Sequence, residues 1–101
     1  MARLVVSPEA RADLDDILDY LSNAAGRAVA PRFGEKFRAA FGHLIQFPEI
    51  GARRPHLHAE MRVWVVRPWL IFYRYNADDT IRILRLSHGR RNVTARIFRS
   101  V

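Results

Sequence analysis

The apolar residues of this chain change their spacing near residue 60, and no other feature limits the fold as strongly. In the first half, Ala10, Leu14, Ile17, Leu18 and Leu21 recur at helical intervals, as do Phe33, Phe37, Ala40, Phe41 and Leu44. That spacing puts each set on one face of a helix. In the second half, the runs 61–66, 69–75 and 81–87 are rich in β-branched and aromatic residues and lie close together in sequence. Such runs read as strands, and connections this short join antiparallel neighbours. Leu4-Val5-Val6 reads as one more short, buried strand ahead of the helices.

Local signals bound these elements. Ser7 suits an N-cap, Pro8 the first helical position and Glu9 the first turn, although Ala10 leaves the capping box incomplete. Gly26 ends the first helix. The second starts near Ala28, which keeps Pro31 in its first turn, and stops at Pro48. Gly34 and Gly42 each cost about 1 kcal/mol relative to alanine inside a helix; a close approach of the first helix is one reason to keep them. Residues 48–60 read as a loop and Asn76–Asp79 as a turn. Asn92 is a candidate cap for a short closing helix with Val93, Ile97 and Phe98. The order β-α-α-β-β-β-α predicts a single α+β domain over residues 1–101, its helical hairpin packed on one face of a small, mostly antiparallel sheet. Leu14, Leu18, Phe37, Phe41 and Leu44 are expected in the core, as are most of Trp64, Trp69, Phe72, Tyr73 and Tyr75.

Half of the residues are hydrophobic, enough for an ordered core, and there is no cysteine, which rules out disulfides and thiolate metal sites. No stretch is apolar enough to span a bilayer or to act as a signal peptide, so the expected location is the cytoplasm. Charge is unevenly spread. Residues 1–25 hold five acids against Arg3 and Arg11, whereas residues 51–101 hold eleven arginines against Glu60, Asp78 and Asp79. The second half therefore suits an anionic partner, either nucleic acid or an acidic protein segment. Among seventeen basic residues only Lys36 is a lysine, and arginine forms forked pairs with carboxylates and phosphates alike.

The residues that bear chemistry are few. RNA cleavage requires groups that move protons and groups that stabilise a charged phosphorane. Arginine supplies only the second, and histidine is the natural proton shuttle. His43 lies within the second helix and reads as structural. His56 and His58 are two apart but lack a third metal ligand, so no metal site is expected. His88 follows a strand and is either an acid–base group or a turn residue bonded to backbone. Arg85 alternates with Leu84 and Leu86 and so should point away from their face. It is either a phosphate contact or one half of a salt bridge with Glu60 or Asp79. The pairs Arg53-Arg54 and Arg90-Arg91 are expected to meet at one end of the sheet as a docking patch.

Four segments in this order resemble the ParE/RelE toxin superfamily: a short strand followed by SPEARADLDDILDYL, the loop FPEIGARRPHL, the strand LIFYRY and the close ILRLSHGRRNVTARIF. The HGRR segment looks like the ParE branch. The resemblance implies the toxin of a type II toxin–antitoxin system, which inhibits DNA gyrase and is silenced by an acidic, ParD-like antitoxin in a hetero-oligomer. The alternative it implies is a RelE-like, ribosome-dependent mRNA endoribonuclease. RelE-like nucleases carry a lysine–arginine cluster and a C-terminal tyrosine or histidine, and this chain departs from that pattern. No catalytic group and no cofactor are then expected; as a nuclease it would use Arg85, His88 and Arg90. Arg53, Arg54, Arg62, Arg85, Arg90, Arg91 and Arg96 are the candidate contacts for target or antitoxin. Leu14, Leu18, Leu21, Phe33 and Phe37 are the candidate antitoxin groove.

Overall fold

The computed structural model describes residues 2–57, 60–90 and Phe98. Strand β1 (Arg3–Val6) leads into helix α1 (Pro8–Ala25), and α2 (Val29–Gln46) follows. The sheet continues with β2 (Ala52–Arg53), β3 (Met61–Val66), β4 (Trp69–Tyr75) and β5 (Thr80–His88). The strand order is β1-β5-β4-β3-β2, with β1 parallel to β5 and every other pair antiparallel. The α+β hairpin-on-sheet expectation is met. The loop predicted over 48–60 contains one short strand, because Ala52 and Arg53 pair with Val63 and Arg62. The closing helix expected from Asn92, with Val93 and Ile97, lies outside the described residues. Phe98 is fully buried, its ring 5.3 Å from that of Phe72.

Helix α1 begins where the sequence placed it, and its cap also ties it to the sheet. The Ser7 hydroxyl accepts from the Ala10 N–H at 3.1 Å and donates to the Leu84 carbonyl at 3.0 Å. Gly26, at φ 98°, closes the helix. In α2, Ala28 stands at the cap position and Pro31 falls in the first turn. Gly34 and Gly42 do not serve a close approach: a Cβ at either would meet nothing within 4 Å. The close approach is at Gly51, where a Cβ would stand 2.6 Å from the Tyr73 hydroxyl.

Ile17, Leu21, Phe37, Ala40 and Leu44 of the hairpin pack on Trp69, Ile71, Tyr73, Ile81, Ile83 and Leu86. Met61, Val63, Phe72 and Leu84 form a second cluster with Leu57 and Phe98. A β-bulge feeds both clusters. Phe72 pairs with Arg85 but Tyr73 pairs with Ile83, so β5 carries one extra residue there. Leu84 consequently enters the second cluster and Leu86 the first. The expectation that both leucines share the face opposite Arg85 fails, because the bulge breaks the simple alternation it assumed.

Candidate functional site

The hairpin leaves part of its apolar surface uncovered. Leu14 and Leu18 of α1, with Pro31, Phe37 and Phe41 of α2, line a groove of about 410 Å³. Phe37 and Leu44 are buried as expected, whereas Leu14, Leu18 and Phe41 are only half-buried. The reason is architectural: the sheet covers one side of a two-helix layer, and among the described residues no third layer covers the flanking positions. Gly34 also lines this groove, and its missing side chain keeps the space open. Of the five residues expected here, Leu14, Leu18 and Phe37 line the groove. Leu21 is buried against the sheet, lining a cleft with Tyr20, Trp69 and His88. Phe33 is half-buried, with the Lys36 ammonium 4.7 Å from its ring centre.

Among the described residues the candidate arginines do not form one patch. Arg85 is bound to Asp13, not to Glu60 or Asp79. Its Nε and Nη2 donate to the two Asp13 oxygens at 2.7 and 3.0 Å. Oδ2 of Asp13 also accepts the Leu86 N–H at 3.0 Å. Both side chains are largely buried, at 19% and 15% exposure, and these bonds hold the Arg85 guanidinium above its ordinary pKa. Asp13 had a signal in the sequence. It lies three residues after Ala10 and four before Ile17, on the buried stripe rather than among its wet neighbours Asp15, Asp16 and Asp19. What no local pattern supplies is a partner 72 residues away.

Arg62 serves the loop after α2. Its Nη1 donates to the carbonyls of Glu49 and Gly51 at 2.8 and 3.0 Å, and Nη2 stands 3.9 Å from the Glu49 carboxylate. Tyr73 completes that anchor from below, accepting the Gly51 N–H at 2.9 Å and donating to the Pro48 carbonyl at 2.8 Å. Burial raises the Tyr73 pKa, and the Gly51 bond and the Arg62 charge oppose the rise. Arg53, Arg54 and Arg90 are exposed. They do not converge: Arg53 belongs to the register row of Tyr73, whereas Arg90 follows His88, which pairs with Trp69. Four residues of strand put those rows roughly 13 Å apart along β4, with the width of the sheet between them besides. Arg91 and Arg96 lie outside the described residues.

His88 ends β5, and its side chain braces the turn that follows. Its Nδ1 accepts the Arg90 N–H at 3.0 Å, and its ring meets Trp69 edge-on at 5.1 Å. The side chains of Arg85 and His88 therefore both have structural partners. His43 lies between the rings of Phe47 and Trp64, 5.2 Å from each, which fits a structural role. His56 is exposed and His58 lies outside the described residues. Among the described residues no group of three or more His, Asp or Glu is placed to hold a metal, and no helix is long and apolar enough to cross a membrane.

A half-covered hairpin on a small twisted sheet, with arginines dispersed along the strands, has counterparts among known proteins. The chain is 31% identical over 97 residues to Toxin ParE3 of Caulobacter vibrioides, covering 96% of each sequence. Its structure matches a chain of the chromosomal ParDE toxin–antitoxin system of P. aeruginosa, with TM-score 0.74 and 27% identity over 87% of this chain and 96% of that one. A chain from the RelBE2 toxin–antitoxin complex of Mycobacterium tuberculosis shares the fold, with TM-score 0.58 and 23% identity over 86% and 96%. Residues 4–93 match the family described as the ParE toxin of the type II toxin–antitoxin system parDE, and it is to this family that the chain belongs.

Proposed function

We propose that this ParE-family toxin inhibits DNA gyrase in the cytoplasm and is silenced by an acidic, ParD-like antitoxin that lays a helix in the hairpin groove. The groove is the observation that carries the antitoxin half. Leu14, Leu18 and Phe41, each half-buried, are the apolar anchors that an amphipathic helix would use, with buried Phe37 beneath them and the exposed Glu35–Arg38 pair on the rim. The two solved neighbours come from toxin–antitoxin systems, which supports a partner of this kind. The gyrase half rests on ParE membership together with the state of the polar residues. Arg85 is engaged by Asp13 and His88 by a backbone N–H, so this chain favours shape and charge complementarity to a target over proton transfer.

Induced expression without antitoxin tests the target. Replication should stop and DNA breaks accumulate before translation falls, and His88→Ala should leave most of the toxicity. Ending the chain before Asn92 should weaken it, with Arg96 and Arg99 removed. Prompt codon-dependent cuts in ribosome-bound mRNA with intact DNA, abolished by His88→Ala, would replace gyrase with the ribosome as the target. The antitoxin half is tested by Leu14→Glu with Leu18→Glu, which should prevent co-purification of the two proteins while the toxin still folds. The basic pairs should act separately: charge reversal at Arg53 and Arg54 should slow association independently of reversal at Arg90 and Arg91.

A further inference from the structure

Strand β2 is shorter than the strand it joins, and part of the β3 edge stays open. The Met61 carbonyl accepts the Arg54 N–H at 2.8 Å, and the groups a strand points outward alternate residue by residue. The N–H and C=O of Met61, Val63 and Val65 therefore point away from β4, toward the side where β2 lies. Ala52 stands opposite Val63, but the chain before it turns away from the edge. The Gly51 N–H goes to the Tyr73 hydroxyl at 2.9 Å and the Ile50 N–H to the Phe47 carbonyl at 3.1 Å. Among the described residues the outward N–H and C=O of Val65 are left without a partner. Beside them lies a notch of about 250 Å³ lined by Ile50, Ala52, Val63, Trp64 and Val65. Val65 is 51% exposed and Ile50 43%, so the notch opens to solvent.

We propose that this notch receives an extended segment of a partner protein, apolar at its centre and acidic on either side, which pairs with Val65 as an added strand. An outward N–H and C=O on one residue are both answered by the same two groups of an extended backbone. A phosphate only accepts, and would leave the C=O unanswered. The apolar lining selects an aliphatic side chain opposite Val65. The flanks select the charge of its neighbours. Arg67 and Arg53 are exposed on either side of the open edge, and among the described residues neither has a carboxylate in ion-pair reach. A second copy of this chain, paired Val65 to Val65 about a two-fold axis, would bring its own Arg67 toward Arg53 and set like charges together. An acidic segment brings opposite charges to both ends. The notch shares no lining residue with the hairpin groove, so the proposal rests neither on the antitoxin helix nor on gyrase.

The test follows the Val65 amide resonance of the free toxin during titration at fixed ionic strength. The probes are a capped heptapeptide with valine at its centre and glutamates at both ends, the same peptide with lysines for glutamates, and the glutamate peptide N-methylated at its valine. With the glutamate peptide the Val65 amide should shift, saturate and exchange more slowly with solvent. N-methylation should weaken that binding about tenfold, because one backbone donor is removed and its acceptor is left unmet. The lysine peptide should bind more weakly still, through repulsion from Arg53 and Arg67. Leu14→Glu with Leu18→Glu should leave the affinity unchanged, since neither residue lines the notch. Loss of binding in that variant would move the peptide to the hairpin groove and overturn the proposal. No saturable shift, or equal binding of the lysine or N-methylated peptide, would overturn it as well. Slow Val65 exchange without peptide, together with a dimer in sedimentation velocity, would assign the edge to a second copy instead.

Discussion

Replacing Asp13 with alanine separates a structural Arg85 from a functional one. The Asp13 carboxylate accepts three hydrogen bonds, two from the Arg85 guanidinium and one from the Leu86 N–H. Its removal leaves a largely buried guanidinium and a backbone donor without their acceptor. Charge-assisted bonds contribute about 1.5–3 kcal/mol each in net terms, and they overlap here on a single group. The remaining exposure of 19% and 15% screens the pair further. A loss of about 3 kcal/mol is expected, on the order of 15 °C in melting temperature for a domain of this size. Arg85→Leu should cost less, about 1–2 kcal/mol, because Asp13 keeps the Leu86 N–H and is partly hydrated. The double variant Asp13→Ala/Arg85→Leu should cost clearly less than the sum, since no orphan charge remains. Urea denaturation of the four proteins completes the cycle, with growth arrest on induction scored in parallel. Additive losses would refute the pairing argument. Abolished growth arrest in Arg85→Leu at nearly unchanged stability would instead assign Arg85 to the target interface.

Three further outcomes follow from single contacts. Gly34→Leu should project into open groove space, leave the fold as stable as before or up to about 1 kcal/mol more so, and still weaken antitoxin binding tenfold or more by isothermal titration; unchanged affinity would remove the groove from the interface. Gly51→Ala should destabilise by about 2 kcal/mol in chemical denaturation, because its Cβ would stand 2.6 Å from the Tyr73 hydroxyl and 2.9 Å from the Val63 carbonyl. Tyr73 should make stability fall at alkaline pH. Burial raises its pKa in the folded state, so its contribution is complete below the ordinary value of about 10 and is lost as pH rises through the folded value. Tyr73→Phe should cost about 2 kcal/mol at neutral pH, through the lost bonds to Gly51 and Pro48, and should flatten that alkaline fall; an unchanged pH profile would show that another group titrates.

The sequence alone determined β1, the two helices and the three long strands in their order, while β2 reads as loop. Period 3.6 gave two amphipathic helices, Ser7-Pro8 and Gly26 bounded the first of them, and the β-branched and aromatic runs gave three antiparallel strands, because these signals act over a few residues. Only the tertiary structure decided how polar residues were used. Asp13 read as one acid among several until the first helix crossed β5 beside Arg85, 72 residues away. Arg53 and Arg90 read as neighbouring basic pairs until the strand order set them at opposite ends of the sheet. Leu14 and Leu18 carry the same periodic signal as Ile17, yet remain half-exposed because none of the described residues covers their flank of the hairpin. Periodicity reports which face of an element is apolar; what covers that face, and which charges meet across it, depends on contacts between residues far apart in the chain.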